Sequence, residues 1–261
     1  MTTIVLNQLA VEIEGEGPAV LCIHGLGGSS NNWTPVLGSF ESMKVIRVDL
    51  PGSARSPLAQ TPLSIDLFVA TLVELLDQLA IARAHLVAHS LGTIVAQHLA
   101  VKYPQRVASL ALLGPLVAPP EQGRAGIRAR AALCRDKGLA GVQEVADAIV
   151  KAATSAETKA QRPVTLALVR ESVMRQDPHG YAQSCEALAA AQPAQIERIA
   201  APTLLLTGDE DPVGPPAAVH AMAERIAGSQ VKVLDGCGHW MTFEKPVECV
   251  AALRDFYSST R

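Results

Sequence analysis

Short apolar runs alternate along this chain with longer stretches in which apolar positions recur every three or four residues. The short runs lie at residues 19–23, 44–48, 84–88, 107–113, 203–207 and 230–234, and Val, Leu, Ile and Ala dominate them. Runs of that length and composition predict strands buried on both faces of a parallel sheet. Residues 4–13 alternate in the manner of a hairpin and lead into the turn-rich Glu14-Gly15-Glu16-Gly17-Pro18. Residues 64–79 predict a helix, because Ile65, Phe68, Val69, Leu72, Leu75, Leu76 and Leu79 share one stripe. Residues 91–103, closed by Pro104, predict a second helix. Residues 215–227 and 246–257 predict the last two, the final one opening on proline. Strand and helix in alternation mean an α/β fold with a mainly parallel central sheet flanked by helices.

The alternation stops between residues 119 and 200. Pro119-Pro120 opens this stretch and Ala201-Pro202 follows it. Alanine, arginine and glutamate dominate, no strand-like run appears, and breaks near Lys137-Gly138, Thr154-Ser155 and Pro178-His179-Gly180 predict four helices. The expected organisation is a core of residues 1–118 and 201–261 with a helical cap, residues 119–200, inserted in it.

At 261 residues and 49% hydrophobic composition, the chain can bury a sizeable core in one domain. A formal charge of −3, a pI near 6.2 and the lack of a basic stripe argue against nucleic acid as partner. The five cysteines, Cys22, Cys134, Cys185, Cys237 and Cys249, have no C-x-x-C spacing. An odd, scattered set points to reduced thiols in a cell interior. The start, Met1-Thr2-Thr3-Ile4, lacks a basic and then apolar signal pattern, and no apolar run reaches the length of a membrane span. A cytoplasmic protein with no membrane partner is expected, with homo-oligomerisation left open.

Candidate chemistry gathers in loops after the predicted strands. In Val87-Ala88-His89-Ser90-Leu91-Gly92 a serine stands where a strand turns into a helix. It is either a plain N-cap or a hydroxyl held out for reaction. A serine nucleophile needs a base within reach and an acid to orient that base. Gly208-Asp209-Glu210-Asp211-Pro212-Val213 carries three carboxylates after one strand, and Asp235-Gly236-Cys237-Gly238-His239-Trp240 presents a histidine after the last. Asp211 and His239 are 28 residues apart, room for one helix and one strand. No His, Cys or carboxylate set has zinc spacing, and Gly25, Gly27 and Gly28 lack the G-x-G-x-x-G pattern, so neither metal nor cofactor is expected.

The Ser90 turn resembles the nucleophile elbow G-x-S-x-G, with Ala88 at the first glycine. Asp49-Leu50-Pro51-Gly52-Ser53-Ala54-Arg55-Ser56 matches D-x-P-G-x-G-x-S with Ala54 at the second glycine, and Ile23-His24-Gly25-Leu26-Gly27-Gly28 adds a His-Gly loop. With serine, acid and histidine in that chain order, the sequence resembles the α/β-hydrolase superfamily. Within it the chain is similar to the 3-oxoadipate enol-lactonase and small carboxylesterase branch, partly through Asp177-Pro178-His179-Gly180-Tyr181-Ala182-Gln183-Ser184-Cys185. The resemblance implies a catalytic Ser90, Asp211 and His239, the G-x-x-D spacing favouring Asp211 over Asp209 and Glu210. It also implies an oxyanion hole from the backbone N–H groups of Leu26 and Leu91. On the substrate side the candidates are His24, Gly25, His89, Lys151 and Trp240. Where those lactonases tend to carry Arg-Trp-Phe in the cap, Lys151-Ala152-Ala153 stands here, which keeps a cation and loses the aromatic wall. The expected function is hydrolysis of a small carboxylic ester or lactone through an acyl-enzyme on Ser90. C–C bond hydrolysis, prolyl aminopeptidase action, cofactor-free perhydrolysis and non-catalytic binding of a small ligand are the alternatives. Haloalkane dehalogenases and epoxide hydrolases are disfavoured, since they use an aspartate where Ser90 stands.

Overall fold

The computed structural model describes residues 2–6 and 8–259. Eight strands, β1 Thr2–Leu6, β2 Leu9–Glu14, β3 Ala19–Ile23, β4 Lys44–Val48, β5 Ala84–His89, β6 Val107–Leu113, β7 Thr203–Gly208 and β8 Gln230–Leu234, form one sheet. Its order is β1-β2-β4-β3-β5-β6-β7-β8. The first two pairings, β1 with β2 and β2 with β4, are antiparallel, and every later one is parallel. The predicted hairpin is β1 and β2, with Asn7 between them outside the described residues. The inner strands lie where their apolar runs predict, β5 and β7 each one residue longer.

Pleating sends alternate residues of each strand to opposite faces. Leu21 and Ile23 enter one buried layer with Phe68 and Leu72 of α1 (Ile65–Gln78) and Ile94 of α2 (Leu91–Lys102). Val20 and Cys22 enter the other layer with Trp33, Val36 and Leu253. Burial of each such aliphatic side chain stabilises the fold by about 1.5–3 kcal/mol. Ser64 caps α1 by accepting a hydrogen bond from the Leu67 N–H at 3.1 Å.

Between β6 and β7 stand α3 (Glu121–Lys137), α4 (Leu139–Ala153), α5 (Ala156–Gln161), α6 (Pro163–Met174) and α7 (Pro178–Ala190); α3, α4, α6 and α7 share a buried cluster with Trp240 and Phe243. The expected third helix is divided into α5 and α6. Pro163 has no N–H, and its ring drives Arg162 out of helical geometry, to φ −125° and ψ 65°. After β7 come α8 (Pro216–Ala223), α9 (Met241–Glu244) and α10 (Pro246–Ser259). The α8 helix ends earlier than predicted, because the chain tightens into three-residue turns, with Arg225 N–H on Met222 O and Ile226 N–H on Ala223 O. A 3₁₀ run, Ser30–Phe40, was not predicted; Pro35 interrupts any α-helical ladder there, while Trp33, Val36 and Phe40 face inward. Among the described residues no helix is long and apolar enough to cross a membrane.

Candidate active site

The parallel strands gather their carboxyl ends on one edge of the sheet, and the loops leaving β3, β5, β7 and β8 meet there. Ser90 follows β5 with φ 52° and ψ −121°, a conformation costly for any residue with a Cβ. Its N–H donates to Leu113 O at 3.0 Å, which ties the turn to β6. Its side chain makes no capping hydrogen bond to α2, so the N-cap alternative fails. Ala88, at the first glycine of the elbow pattern, is fully buried in β5. Gly25 lies so close to the elbow that a Cβ there would sit 2.8 Å from Ser90 Cβ.

His239 follows β8 and is buried beside Asp211, its Nδ1 2.9 Å from Oδ2 and 3.0 Å from Oδ1. Asp211 Oδ1 also accepts from the Val213 and Gly214 N–H groups at 2.7 and 3.0 Å. Burial alone would push this carboxyl up; the His239 charge and those N–H donors outweigh it and hold it at about 2. Asp211 is therefore an ionised acceptor, and His239 presents Nδ1–H to it. The other two acids of the turn are exposed and do different work. Asp209 Oδ1 accepts from Cys237 N–H at 3.0 Å, and Glu210 Oε2 accepts from Ala156 N–H of α5 at 2.8 Å. Cys237 is buried, and burial pushes its thiol far above the ordinary range, which removes it as a thiolate.

Ser90 and His239 line one cavity of about 350 Å³ beneath the cap. Its walls are mostly apolar, with Leu26, Ile127, Ile149, Leu188 and Val213 among them. Among the described residues, neither the Leu26 nor the Leu91 N–H donates to a protein acceptor. Trp240 lines this cavity, 3% exposed, and stacks on Phe243 with ring centroids 6.1 Å apart.

The other four substrate-side candidates stand off the cavity wall. Lys151 is exposed and off the cavity wall, because α4 turns Ile149, Ala152 and Ala153 inward and leaves position 151 on another face. The cation that does line the cavity is Arg130 of α3, on the stripe of Gly123 and Ile127, and no ion pair engages it among the described residues. His24 is buried behind the site: Nδ1 donates to Gly25 O at 2.8 Å and Nε2 accepts from Leu50 N–H at 2.9 Å. Gly25 packs against the elbow and does not wall the cavity. His89 is likewise behind the wall, donating from Nε2 to His239 O at 2.7 Å, its ring 4.7 Å from that of His239. Burial, then the neighbouring His239 charge, hold His89 down at about 3, so it stays neutral.

The His-Gly loop rests on a polar bed. Asp49 accepts from Ser30 N–H at 2.7 Å and pairs with Arg55 Nε at 2.7 Å, while Arg55 and buried Arg47 both meet Glu12. From the cap, Ser172 Oγ donates to Gly27 O at 2.8 Å. Gln176, buried just beyond the end of α6, donates to Gly28 O at 3.1 Å and accepts from Ala54 N–H at 3.0 Å. Nothing in the motif pattern marks Gln176, because its role is visible only once 122 residues of chain have folded back.

A family model described as alpha/beta hydrolase fold matches residues 18–246. The 3-oxoadipate enol-lactonase 2 of Acinetobacter baylyi is 29% identical over 245 residues, 89% of this chain and 86% of that protein. The dihydrolipoyllysine-residue acetyltransferase component of an acetoin cleaving system from Pseudomonas putida is 45% identical over 107 residues, 39% of this chain but 28% of that longer protein. Among solved structures, a thermophilic esterase from Thermogutta terrifontis superposes with TM-score 0.93 at 24% identity, covering 100% of this chain and 99% of the other, a likeness of fold.

Proposed function

This chain belongs to the alpha/beta hydrolase fold family, and we propose that it is a serine hydrolase cleaving a small carboxylic ester or lactone. Ser90 Oγ attacks the carbonyl carbon while His239 Nε2 takes the hydroxyl proton. Asp211 balances the imidazolium across the Nδ1 hydrogen bond. The backbone N–H groups of Leu26 and Leu91 receive the oxyanion, each worth about 2.7–4 kcal/mol to the transition state. Collapse expels the alcohol or opens the ring as His239 returns the proton, and water then releases the acyl group from Ser90 by the same steps.

The observation that carries this reading is the strained, uncapped serine sharing a cavity wall with a histidine already paired to a buried, ionised aspartate. The cavity volume and its aliphatic walls favour short acyl and leaving groups, with Arg130 on the wall facing any acidic substituent. Similarity to an enol-lactonase over most of the chain supports the same chemical class. Ser90→Ala should lower kcat for p-nitrophenyl acetate by ~10⁴-fold or more while the fold persists. A fluorophosphonate probe should label the wild type at residue 90 alone; a folded protein that refuses the probe, or a variant that keeps its turnover, refutes the proposal.

A further inference from the structure

Glu244 closes α9, five residues after His239, and is fully buried, yet among the described residues no cation pairs with its carboxylate. Four hydrogen-bond donors surround it instead. Oε1 accepts from Trp240 N–H at 3.1 Å. Oε2 accepts from Gly238 N–H at 3.2 Å, from Ser155 N–H at 2.8 Å and from the Thr158 hydroxyl at 2.9 Å. A buried carboxylate without a counter-ion persists only when such donors replace its water shell.

The positions of those donors decide what the carboxylate does. Gly238 and Trp240 flank His239, and the His239 N–H between them donates to Ala153 O at 2.9 Å. Three successive backbone N–H groups of the histidine loop are thus fixed, two by Glu244 and one by the end of α4. The other two donors belong to the α4–α5 junction of the cap. The approach is close enough that a Cβ at residue 238 would lie 2.7 Å from Ala153 O and 2.8 Å from Glu244 Oε1.

We propose that Glu244 is a positioning residue for the hydrolytic reaction, its carboxylate locking the backbone on either side of His239 and fastening the cap to that loop. This inference rests on the serine-hydrolase reading and goes beyond it in assigning a part to a residue that touches neither the cavity nor the imidazole ring. Catalysis is sensitive to sub-ångström placement of the base, so the lock acts on kcat and not on substrate affinity.

Glu244→Gln tests it. The amide offers one acceptor oxygen, so an orientation that keeps Gly238, Ser155 and Thr158 turns its NH₂ against the Trp240 N–H. Thr158→Val is the partner variant, removing a cap-side bond and leaving both histidine-loop bonds in place. With p-nitrophenyl acetate, Glu244→Gln should lower kcat by ~10- to 100-fold with KM held within about twofold. Thr158→Val should lower the thermal midpoint and keep kcat. Equal kcat in folded Glu244→Gln and wild type overturns the proposal, as does a kcat loss in Thr158→Val as large as in Glu244→Gln. If Glu244→Gln does not fold, Glu244→Asp, retracted by one methylene, carries the same expectation, and undiminished kcat in that variant overturns it. A wild-type protein inert to both ester and fluorophosphonate defeats the hydrolase reading itself and this inference with it, a result distinct from losing only the contrast between the two variants.

Discussion

Two side chains in the loops around the site hold backbone that glycine would hold more cheaply. Ala54 stands at the second glycine of the D-x-P-G-x-G-x-S pattern with φ 48°, and its N–H donates to Gln176 Oε1. A Cβ in that left-handed region costs about 1–2 kcal/mol, part of which glycine would give back through its freer unfolded chain. Ala54→Gly should therefore raise stability by up to about 1 kcal/mol, read from urea midpoints at constant slope. Ser90, at φ 52°, carries comparable strain, but there it aims the hydroxyl at the cavity. Ser90 and His239 were legible as candidates only through loop position taken together with the family motifs in their chain order. Asp211 could be separated from Asp209 and Glu210 only through a family spacing; burial, His239 and two N–H donors single it out physically, and all three depend on folding. Lys151 and Arg130 show the opposite case. Both are cations on cap helices, and which one faces inward depends on how those helices rotate against the core, a property no local pattern encodes.

The elements of the sheet were legible nearly to the residue, because inner strands buried on both faces must be apolar throughout and stop at turns. The 3₁₀ run Ser30–Phe40 and the short α9 were illegible: too brief or too irregular for a helical period to register. Within the cap, α6 is fastened to the His-Gly loop, since Ser172 in its last turn and Gln176 just beyond it hold the carbonyls of Gly27 and Gly28. Gln176→Leu keeps the shape but leaves the half-buried Ala54 N–H and the buried Gly28 O without this partner. It should cost about 1–3 kcal/mol of unfolding free energy, measurable by chemical denaturation. A loss below a few tenths would show that α6 merely rests on the loop.

Across the molecule, acid should act through buried imidazoles well before it reaches the carboxylates. Burial holds His24 below its ordinary value and His89 at about 3, so both stay neutral in the native protein. The unfolded chain protonates both below about pH 6.5 and then binds more protons than the native state. Stability is therefore complete above that pH and declines on acidification toward the native values, by about 1.4 kcal/mol per pH unit for each histidine once the unfolded form is charged. Asp211 adds a second loss between its unfolded value near 4 and its native value of about 2, where its protonation breaks the pair with His239. Urea midpoints between pH 7.5 and 5 should trace the first decline, and His89→Gln should make it shallower; a flat profile contradicts the buried, neutral assignment.

The parallel run of β3 to β8 sorts the connections into two populations. The segments leaving the carboxyl ends of β3, β5, β6, β7 and β8 line the cavity or lie next to residues that do, whereas those entering the amino ends, such as residues 80–83 and 224–229, lie a full strand length away from it. A tether, fluorescent tag or immobilising graft belongs on that far side. There it could be fastened to a surface with the loops that line the cavity left facing the solution.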